Sequence, residues 1–541
     1  MITALKIKKH YAGFIILLVL AFTAVVRIRL LQFPLERDEG EYAYMGQLLL
    51  KGIVPFKLAF STQKLPGTHI SYALIMSVFG QSVGAIHFGL LLINLASCIL
   101  VYFLAKRLFG TLAGVVACAS FAILSVGQCV LGTAAHATHF VMLPVLGGLL
   151  LLMSAAKSGN AVKLYLCGLL FGTAFLMRQP ALLFSFFGLI CLWHAEMQRT
   201  VFSWRDAARR SAIYIVGVAV PFALLCALLA AGGSFQTFWF WTFTYLAQYA
   251  SEITAAMGLQ MFQRTFSDIV RANPGIWILA ALGLVCLFAD KKSRSGLFFT
   301  FGFFITSFLA VCPGFYFRQH YFVQLLPAAA ILAGVAVSST TDFFSRRGLP
   351  VVVRFSPVIV FVAALGFSLF QQRSFLFEQS AFQASRSTYG PNPFPEAVEI
   401  AKYVKANTTE NDRIAVIGSE PEIYFYANRY CATGYIFTYA LMEPRPLALK
   451  MQKEMIADIE STLPKYLVVV NVRTSWLQQQ GSNLFIFSWL PQFLDSHYEI
   501  TGVADILSKE KTEYHWDADA ANYRAQSKFY MTVWKAKSRQ P

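Results

Sequence analysis

The chain has 541 residues, of which 57% are hydrophobic and only 13% charged, and it contains 50 phenylalanines. A charged share about half that of an ordinary soluble domain excludes a soluble globular protein. The formal net charge of +17 does not point to nucleic acid, because no aromatic–basic binding module accompanies it. Lys and Arg gather instead in short loops between apolar runs, as at anionic lipid surfaces.

At the N-terminus, Lys6, Lys8 and Lys9 precede a long apolar run from Tyr11. That run exceeds a signal-peptide core and no small-x-small cleavage site follows, so it reads as an uncleaved first span with its N-terminus inside. Crossing a hydrocarbon layer about 30 Å thick takes about 20 apolar residues. Runs near that length predict eleven transmembrane helices, near 11–31, 84–105, 110–128, 138–156, 162–177, 180–195, 211–231, 273–289, 296–312, 320–338 and 351–370. Short loops carrying Lys106/Arg107, Lys157/Lys163, Arg199/Arg205/Arg209/Arg210, Lys291/Lys292/Arg294 and Arg346/Arg347/Arg354 all fall on one side. By the positive-inside rule that side is cytoplasmic. An odd number of spans then puts the C-terminal segment outside the cytoplasmic membrane. Eight of the nine cysteines lie in or at the ends of these spans, Cys431 being the exception, so no disulfide framework or zinc-type spacing is expected.

Two outer segments are too long for turns. The first, about 33–83, holds Glu36-Arg37-Asp38-Glu39-Gly40-Glu41-Tyr42. The second, about 232–272, is rich in aromatics (Trp239, Phe240, Trp241, Phe243, Tyr245, Tyr249), which suits helices lying at the lipid–water boundary. The transmembrane part runs to about 375 and a second unit occupies about 380–541. There Pro391, Pro393 and Pro395 lead into a helix start with Glu396 and Glu399. Strand-like Arg413–Gly418 and Tyr466–Val472 alternate with helical stretches at 421–428 and 447–461. That alternation predicts a small extracytoplasmic α/β domain with parallel strands. Gly418-Ser419-Glu420-Pro421 follows the first strand but is no dinucleotide fingerprint.

The chemistry concentrates in the first outer segment. Asp38, Glu39 and Glu41 follow the first span beneath Arg27, Arg29 and Arg37, and Gln63-Lys64-Leu65-Pro66-Gly67 comes soon after. Carboxylates beside a cationic clamp at the membrane surface suit a lipid-phosphate donor. Group transfer there requires deprotonating an acceptor hydroxyl and stabilising a departing phosphate. Solvated loop charges with snorkelling arginines are the plainer alternative. Arg178, next to the helix-breaking Gln179-Pro180, is a cation near membrane depth that calls for a partner or a cavity, here the same outer pocket.

These residues resemble the outer-face membrane glycosyltransferases of the GT-C type, which include protein O-mannosyltransferases and lipid A aminoarabinose transferases. Asp38-Glu39-Gly40-Glu41-Tyr42-Ala43 is similar to their Asp-Glu-x-x-Tyr-Ala motif, Lys64-Leu65-Pro66-Gly67 to their Lys-Pro-Pro segment, and Lys106-Arg107-Leu108-Phe109-Gly110 to the end of their second span. Arg318-Gln319-His320-Tyr321-Phe322, with Pro327, resembles the start of a later span. The resemblance implies Asp38 as general base, donor-phosphate binding by Lys64 and Arg318 with His320 and Tyr321, and displacement with inversion; its charge and position add Arg178 to the phosphate-binding set, an ordinary interfacial turn being the alternative. Glu39, Glu41 and Tyr42 would support the site or meet the acceptor. Where many relatives carry a second acid after the third span, this chain has Ala135-His136-Ala137-Thr138-His139; His136 either stands in for that acid or is a plain hydrogen-bonded histidine. A divalent metal would fit near Asp38, Glu39 and Glu41, but nothing requires one and the resemblance implies metal-independent catalysis. The expected partners are a polyprenyl-phosphate sugar, a hydroxyl-bearing acceptor and membrane lipids. A pyrophosphate-linked or oligosaccharide donor is the nearest variant. Other classes are a transporter or flippase for a lipid-linked glycan, for which no inverted repeat is visible, and an inactive carrier-binding scaffold.

Overall fold

A computed structural model describes residues 9–245, 247 and 253–537; Lys6, Lys8 and Tyr249 lie outside them. Each of the eleven expected spans falls on a helix: Lys9–Arg29, Val83–Phe109, Thr111–Leu124, Ala137–Ser158, Ala161–Met177, Leu182–Met197, Trp204–Ala231, Pro274–Ala289, Leu297–Val311, Leu326–Arg346 and Val351–Gln371. The chain is therefore an integral membrane protein. Among the described residues, eight apolar helices are long enough to cross a bilayer; Thr111–Leu124 and Ala161–Met177 are shorter. Pro274–Ala289 reaches that length only together with Ala255–Ala272, from which it bends by 105°.

The span expected near 320–338 begins later. Gln319–Gln324 forms a 3-10 turn, and the α-helix starts at Leu326 with Pro327 in its first turn. Proline suits that place, where its missing N–H has no partner to lose. Leu326–Arg346 is the central helix, with 83% of its most apolar stretch buried. Its small residues let neighbours approach, as membrane helices do where packing rather than hydrophobicity drives contact.

The outer segments fold as separate helices, Arg37–Leu50 and Gly67–Phe79 in the first, Phe235–Trp239 and Ala255–Ala272 in the second. Arg37–Leu50 is started by Glu36, whose carboxylate accepts the Glu39 N–H at 3.0 Å while the Glu39 carboxylate reaches back to the Glu36 N–H. This reciprocal cap fixes where Asp38 stands in the first turn. Of the aromatics in the second segment, Trp241 and Tyr245 are buried and Trp239 is half exposed, so the group is partly core and partly boundary.

The C-terminal sheet has six strands, β1 (Arg413–Ile417), β2 (Tyr430–Cys431), β3 (Tyr466–Asn471), β4 (Tyr498–Ile506), β5 (Thr512–Trp516) and β6 (Tyr530–Ala536), in the order β2-β1-β3-β6-β4-β5. The expectation of a parallel sheet holds only for β1, β2 and β3; β6 pairs antiparallel with β3, and β4 with β5 and β6. A short link joins β4 to β5 as a hairpin, and the chain then passes back across β4, through the short helix Ala518–Asn522, so that β6 lies antiparallel between β3 and β4. On β1 and β3, Ile414, Val416, Val468 and Val470 pack with Leu35, Tyr42, Tyr44 and Leu48 of the first outer segment. Ala415, Ile417 and Leu467 face the other way, into a core shared with Phe56, Leu65, Phe238 and Trp241. A strand covered on both faces reads as a continuous apolar run. The sheet thus shares its core with the first outer segment. Gly40 is the contact that permits this, since a Cβ there would stand 2.6 Å from the Glu422 backbone nitrogen. The nine cysteines are free thiols.

Candidate active site

The first turn of Arg37–Leu50, the Gln63–Lys64 loop, the Arg318–Tyr321 turn and the C-terminal sheet domain enclose a cavity of about 740 Å³. Asp38, Lys64, His136, Arg318, His320 and Tyr321 all line it. Residues 38, 64 and 318, far apart in the chain, therefore converge on one space.

Lys64 is the electrostatic hub. Its Nζ lies 2.7 Å from Asp38 Oδ1 and 2.6 Å from Glu41 Oε2, over the Tyr42 ring at 4.7 Å. Burial opposes its charge, but Asp38 and Glu41 outweigh that and hold the ammonium well above its usual range. Burial would likewise raise Asp38; the charges of Lys64, His136 and Arg318 and the Lys64 hydrogen bond overcome it and bring Asp38 down to about 2. Asp38 keeps 27% of its side chain exposed to the cavity, whereas Glu41 is fully buried. Burial raises Glu41 despite Lys64, and Ser61 donates a hydrogen bond to it. Tyr42 packs edge-on against Tyr72 beneath the lysine.

Glu39 does not face the cavity. Its carboxylate accepts the Ala135 N–H at 2.6 Å and bonds His87 Nε2 at 2.9 Å, which ties the motif to the segment that presents His136. His136 starts the helix Ala137–Ser158. Its Nδ1 is 3.9 Å from Asp38 Oδ2 and 3.7 Å from Glu36 Oε1, and its ring stacks on His320 with centroids 3.9 Å apart. Burial lowers both imidazoles, His320 the more strongly with its cationic neighbours. Neither His136 nitrogen, nor His320 Nδ1, has a hydrogen-bond partner among the described residues. The nearest donor atoms of Asp38, His136 and His320 lie within 4.8 Å of one another, so this trio could hold a divalent cation. Of the carboxylates near which a metal would fit, Glu39 is engaged by the Ala135 N–H and His87, and Glu41 by Lys64 and Ser61.

Arg178 is not in the cavity wall as expected. Its guanidinium stacks on the Tyr321 ring at 3.6 Å and so stands behind that residue; burial lowers its pKa. Arg27 and Arg29 are not a clamp either. Arg27 binds Asn94 and the carbonyls of Ser125 and Gly132, and Arg29 the carbonyls of Phe375, Leu376 and Gln379. Both tie helix ends together, which neither periodicity nor charge pattern could reveal.

Sequence reasoning missed the contribution of the C-terminal domain. Phe437, Tyr439, Glu443 and Thr474 form part of the cavity wall. Arg37, beside Asp38, donates to Glu420 Oε1 at 2.8 Å, and Ser475 donates to Glu420 Oε2 at 2.6 Å. Burial opposes the Arg37 charge, but Tyr439 and Glu420 more than offset it and the guanidinium pKa is raised. The Gly418-Ser419-Glu420-Pro421 turn after β1 was visible in the sequence. Its role was not, since a partner 383 residues away leaves no local trace.

Residues 65–230 match the model of the family described as dolichyl-phosphate-mannose-protein mannosyltransferase. No curated protein matches the sequence. Among solved structures, ArnT from Cupriavidus metallidurans bound to undecaprenyl phosphate superposes with a TM-score of 0.58 at 14% identity, over 96% of this chain and 98% of that one. The archaeal oligosaccharyltransferase AglB from Archaeoglobus fulgidus, in complex with an inhibitory peptide and a dolichol-phosphate, gives 0.52 at 12% identity over 94% and 74%. The apo form of the Archaeoglobus fulgidus oligosaccharyltransferase gives 0.55 at 12% identity over 96% and 76%. In its fold, and in the segment that the mannosyltransferase family model matches, this chain resembles the GT-C membrane glycosyltransferases.

Proposed function

We propose that the chain transfers a sugar from a polyprenyl-phosphate carrier to a hydroxyl acceptor at the outer face of the cytoplasmic membrane, with inversion and with Asp38 as general base. The observation that carries this reading is the meeting of Asp38, Lys64 and Arg318 in one cavity. The undecaprenyl phosphate in ArnT and the dolichol-phosphate in AglB support a polyprenyl-phosphate carrier.

In the reaction, the acceptor oxygen bonds to the anomeric carbon as the bond from that carbon to the phosphate oxygen breaks. The polyprenyl phosphate departs with the electron pair, and Asp38 takes the acceptor proton. A carboxylate held at about 2 is a weak base while Lys64 sits on it. The donor phosphate offers the Lys64 ammonium a second anionic partner. As Lys64 shifts toward it, Asp38 loses its counter-ion and gains basicity where the acceptor proton is to be taken. Arg318 lines the same cavity, and such charge-assisted contacts count toward rate only where they hold the departing phosphate better than the intact donor. Tyr439, Phe437 and Thr474 of the C-terminal domain form the wall that an acceptor would meet.

The unpartnered nitrogens of His136 and His320 beside Asp38 favour one variant, in which a divalent ion helps to hold the donor phosphate. Imidazole suits Zn²⁺, and the carboxylate also suits a harder ion such as Mn²⁺.

The test offers membranes containing the chain a panel of labelled polyprenyl-phosphate sugars. Wild type should label one acceptor fraction from one donor, and Asp38→Asn, inserted at equal level, should not. Near-normal labelling by Asp38→Asn would overturn the mechanism; no labelling from any monophosphate donor, with labelling from a pyrophosphate one, would change the donor class.

A further inference from the structure

We propose that Gln179 is a positioning residue of the transfer site, acting through Lys64. The inference rests on the reading of Lys64 as the cation that meets the donor phosphate, and adds the device that aims it. Gln179 itself does not line the cavity; Lys64 does, with its ammonium between Asp38 and Glu41. A lysine meets phosphate as a point charge on a flexible stem, so the backbone that launches the stem decides where the charge can go.

That backbone is not one a lysine loop adopts by itself. Gln63, just before Lys64, has a positive φ of 63°, where the Cβ of an L-residue crowds its own chain and glycine is the usual occupant. Such a conformation persists only where the surroundings hold it. Hydrogen bonds do so from two sides. The Gln63 N–H donates to the Trp241 carbonyl at 3.0 Å, and the Thr242 hydroxyl donates to the Lys64 carbonyl at 3.3 Å. Between them, Gln179 Nε2 donates to the Gln63 carbonyl at 2.7 Å. This last bond fixes the peptide unit that joins Gln63 to Lys64.

Gln179 is free to reach the loop because the helix Ala161–Met177 stops before Pro180, as helices do ahead of a proline. The same helix end also receives the chain on the far side of Lys64. Thr68 Oγ1 donates to the Met177 carbonyl at 3.2 Å. A Cβ on Gly67 would stand 2.3 Å from the Leu176 carbonyl oxygen, so glycine is what lets the two backbones touch. Residues 63–68 are thus seated at both ends on residues 176–179, with Lys64 between the anchor points. The neighbouring Arg178 stacks on Tyr321, so one helix break braces two parts of the cavity wall.

The test measures binding of undecaprenyl phosphate to the full chain in lipid nanodiscs by native mass spectrometry. Wild type should bind saturably, and Lys64→Met should weaken binding about tenfold or more. Gln179→Met, close in size but without the donor, should weaken it about five- to tenfold. The double variant decides. If Gln179 acts through Lys64, adding Gln179→Met to Lys64→Met should cost less than about a further twofold. Thr242→Val removes the hydroxyl from the Lys64 carbonyl and should show a smaller loss that Lys64→Met masks in the same way. It carries the test if Gln179→Met does not insert. Wild-type affinity in Gln179→Met, or the same loss from it with and without Lys64, would overturn the proposal and leave Lys64 in the phosphate site. No saturable binding by wild type, or equal binding by wild type and Lys64→Met, would strike that role of Lys64 and the role of Gln179 with it.

Discussion

Arg37 and Glu420, 383 residues apart in the chain, form a buried ion pair at 2.8 Å directly beside the proposed base. One partner belongs to the first outer segment and the other to the turn after β1. Removing one member of such a pair leaves an uncompensated buried charge, which typically costs about 3–5 kcal/mol. Glu420→Ala should therefore lower the unfolding midpoint in detergent and abolish transfer. Replacing both partners by apolar residues should recover much of the stability but not the activity; thermal unfolding and product formation of the two variants beside wild type check this.

Asp38→Asn keeps the size of the side chain and removes its proton-accepting charge. Transfer should fall by about 10²–10⁴, with the unfolding midpoint little changed, as read by product formation per inserted protein.

The pH profile follows from Lys64. With Asp38 down at about 2, its protonation should give the free wild-type enzyme no acidic limb in kcat/KM at neutral or mildly acidic pH. Lys64→Met removes the largest influence lowering Asp38 and leaves burial, which raises it. The acidic limb should then move up by at least about one pH unit, alongside weaker use of the donor. The stability sign agrees: a carboxyl depressed from 3.8 to about 2 stabilises the fold above the unfolded value, a contribution lost as pH falls through the folded one.

Gly40→Val would drive a side chain into the backbone at Glu422. Overpacking of this kind costs about 1–3 kcal/mol, and since Asp38 is two residues away, both the unfolding midpoint and transfer should drop. An unchanged midpoint would show that the sheet and the first outer segment separate in solution.

Chelation addresses the imidazole pair. If Asp38, His136 and His320 hold a divalent ion, chelator should reduce transfer and Zn²⁺ or Mn²⁺ should restore it, and His320→Ala should lose the response. Activity indifferent to chelator would leave Asp38 and the cations as the whole catalytic set.

Much of this was legible in the sequence. Apolar runs placed eleven helices, of which eight reach, among the described residues, the length a bilayer imposes and three alone do not. The order Asp38, Lys64, Arg318 marked the cavity because motifs at helix ends are local. What stayed hidden was set by contact at a distance. Arg27 and Arg29 looked like ligand-binding cations until backbone carbonyls were seen to hold them. Glu39 looked like a site carboxylate, yet it serves the Ala135 N–H. The strands β4 to β6 lacked the alternation with helices that announces a parallel unit, and Arg178 was expected in the pocket because nothing local reveals that Tyr321 comes between.

The shared core of the first outer segment and the sheet also has a temporal meaning. Tyr42 and Tyr44 leave the ribosome hundreds of residues before Ile414, Val416 and Val468, the side chains they pack with. Until the last quarter of the polypeptide has been made, the Asp38 region has no lid of β-structure, and Arg37 has no carboxylate to meet. The proposed site is thus assembled from the two ends of the chain, and in a nascent or truncated chain the Asp38 cavity lacks the wall that the C-terminal domain supplies.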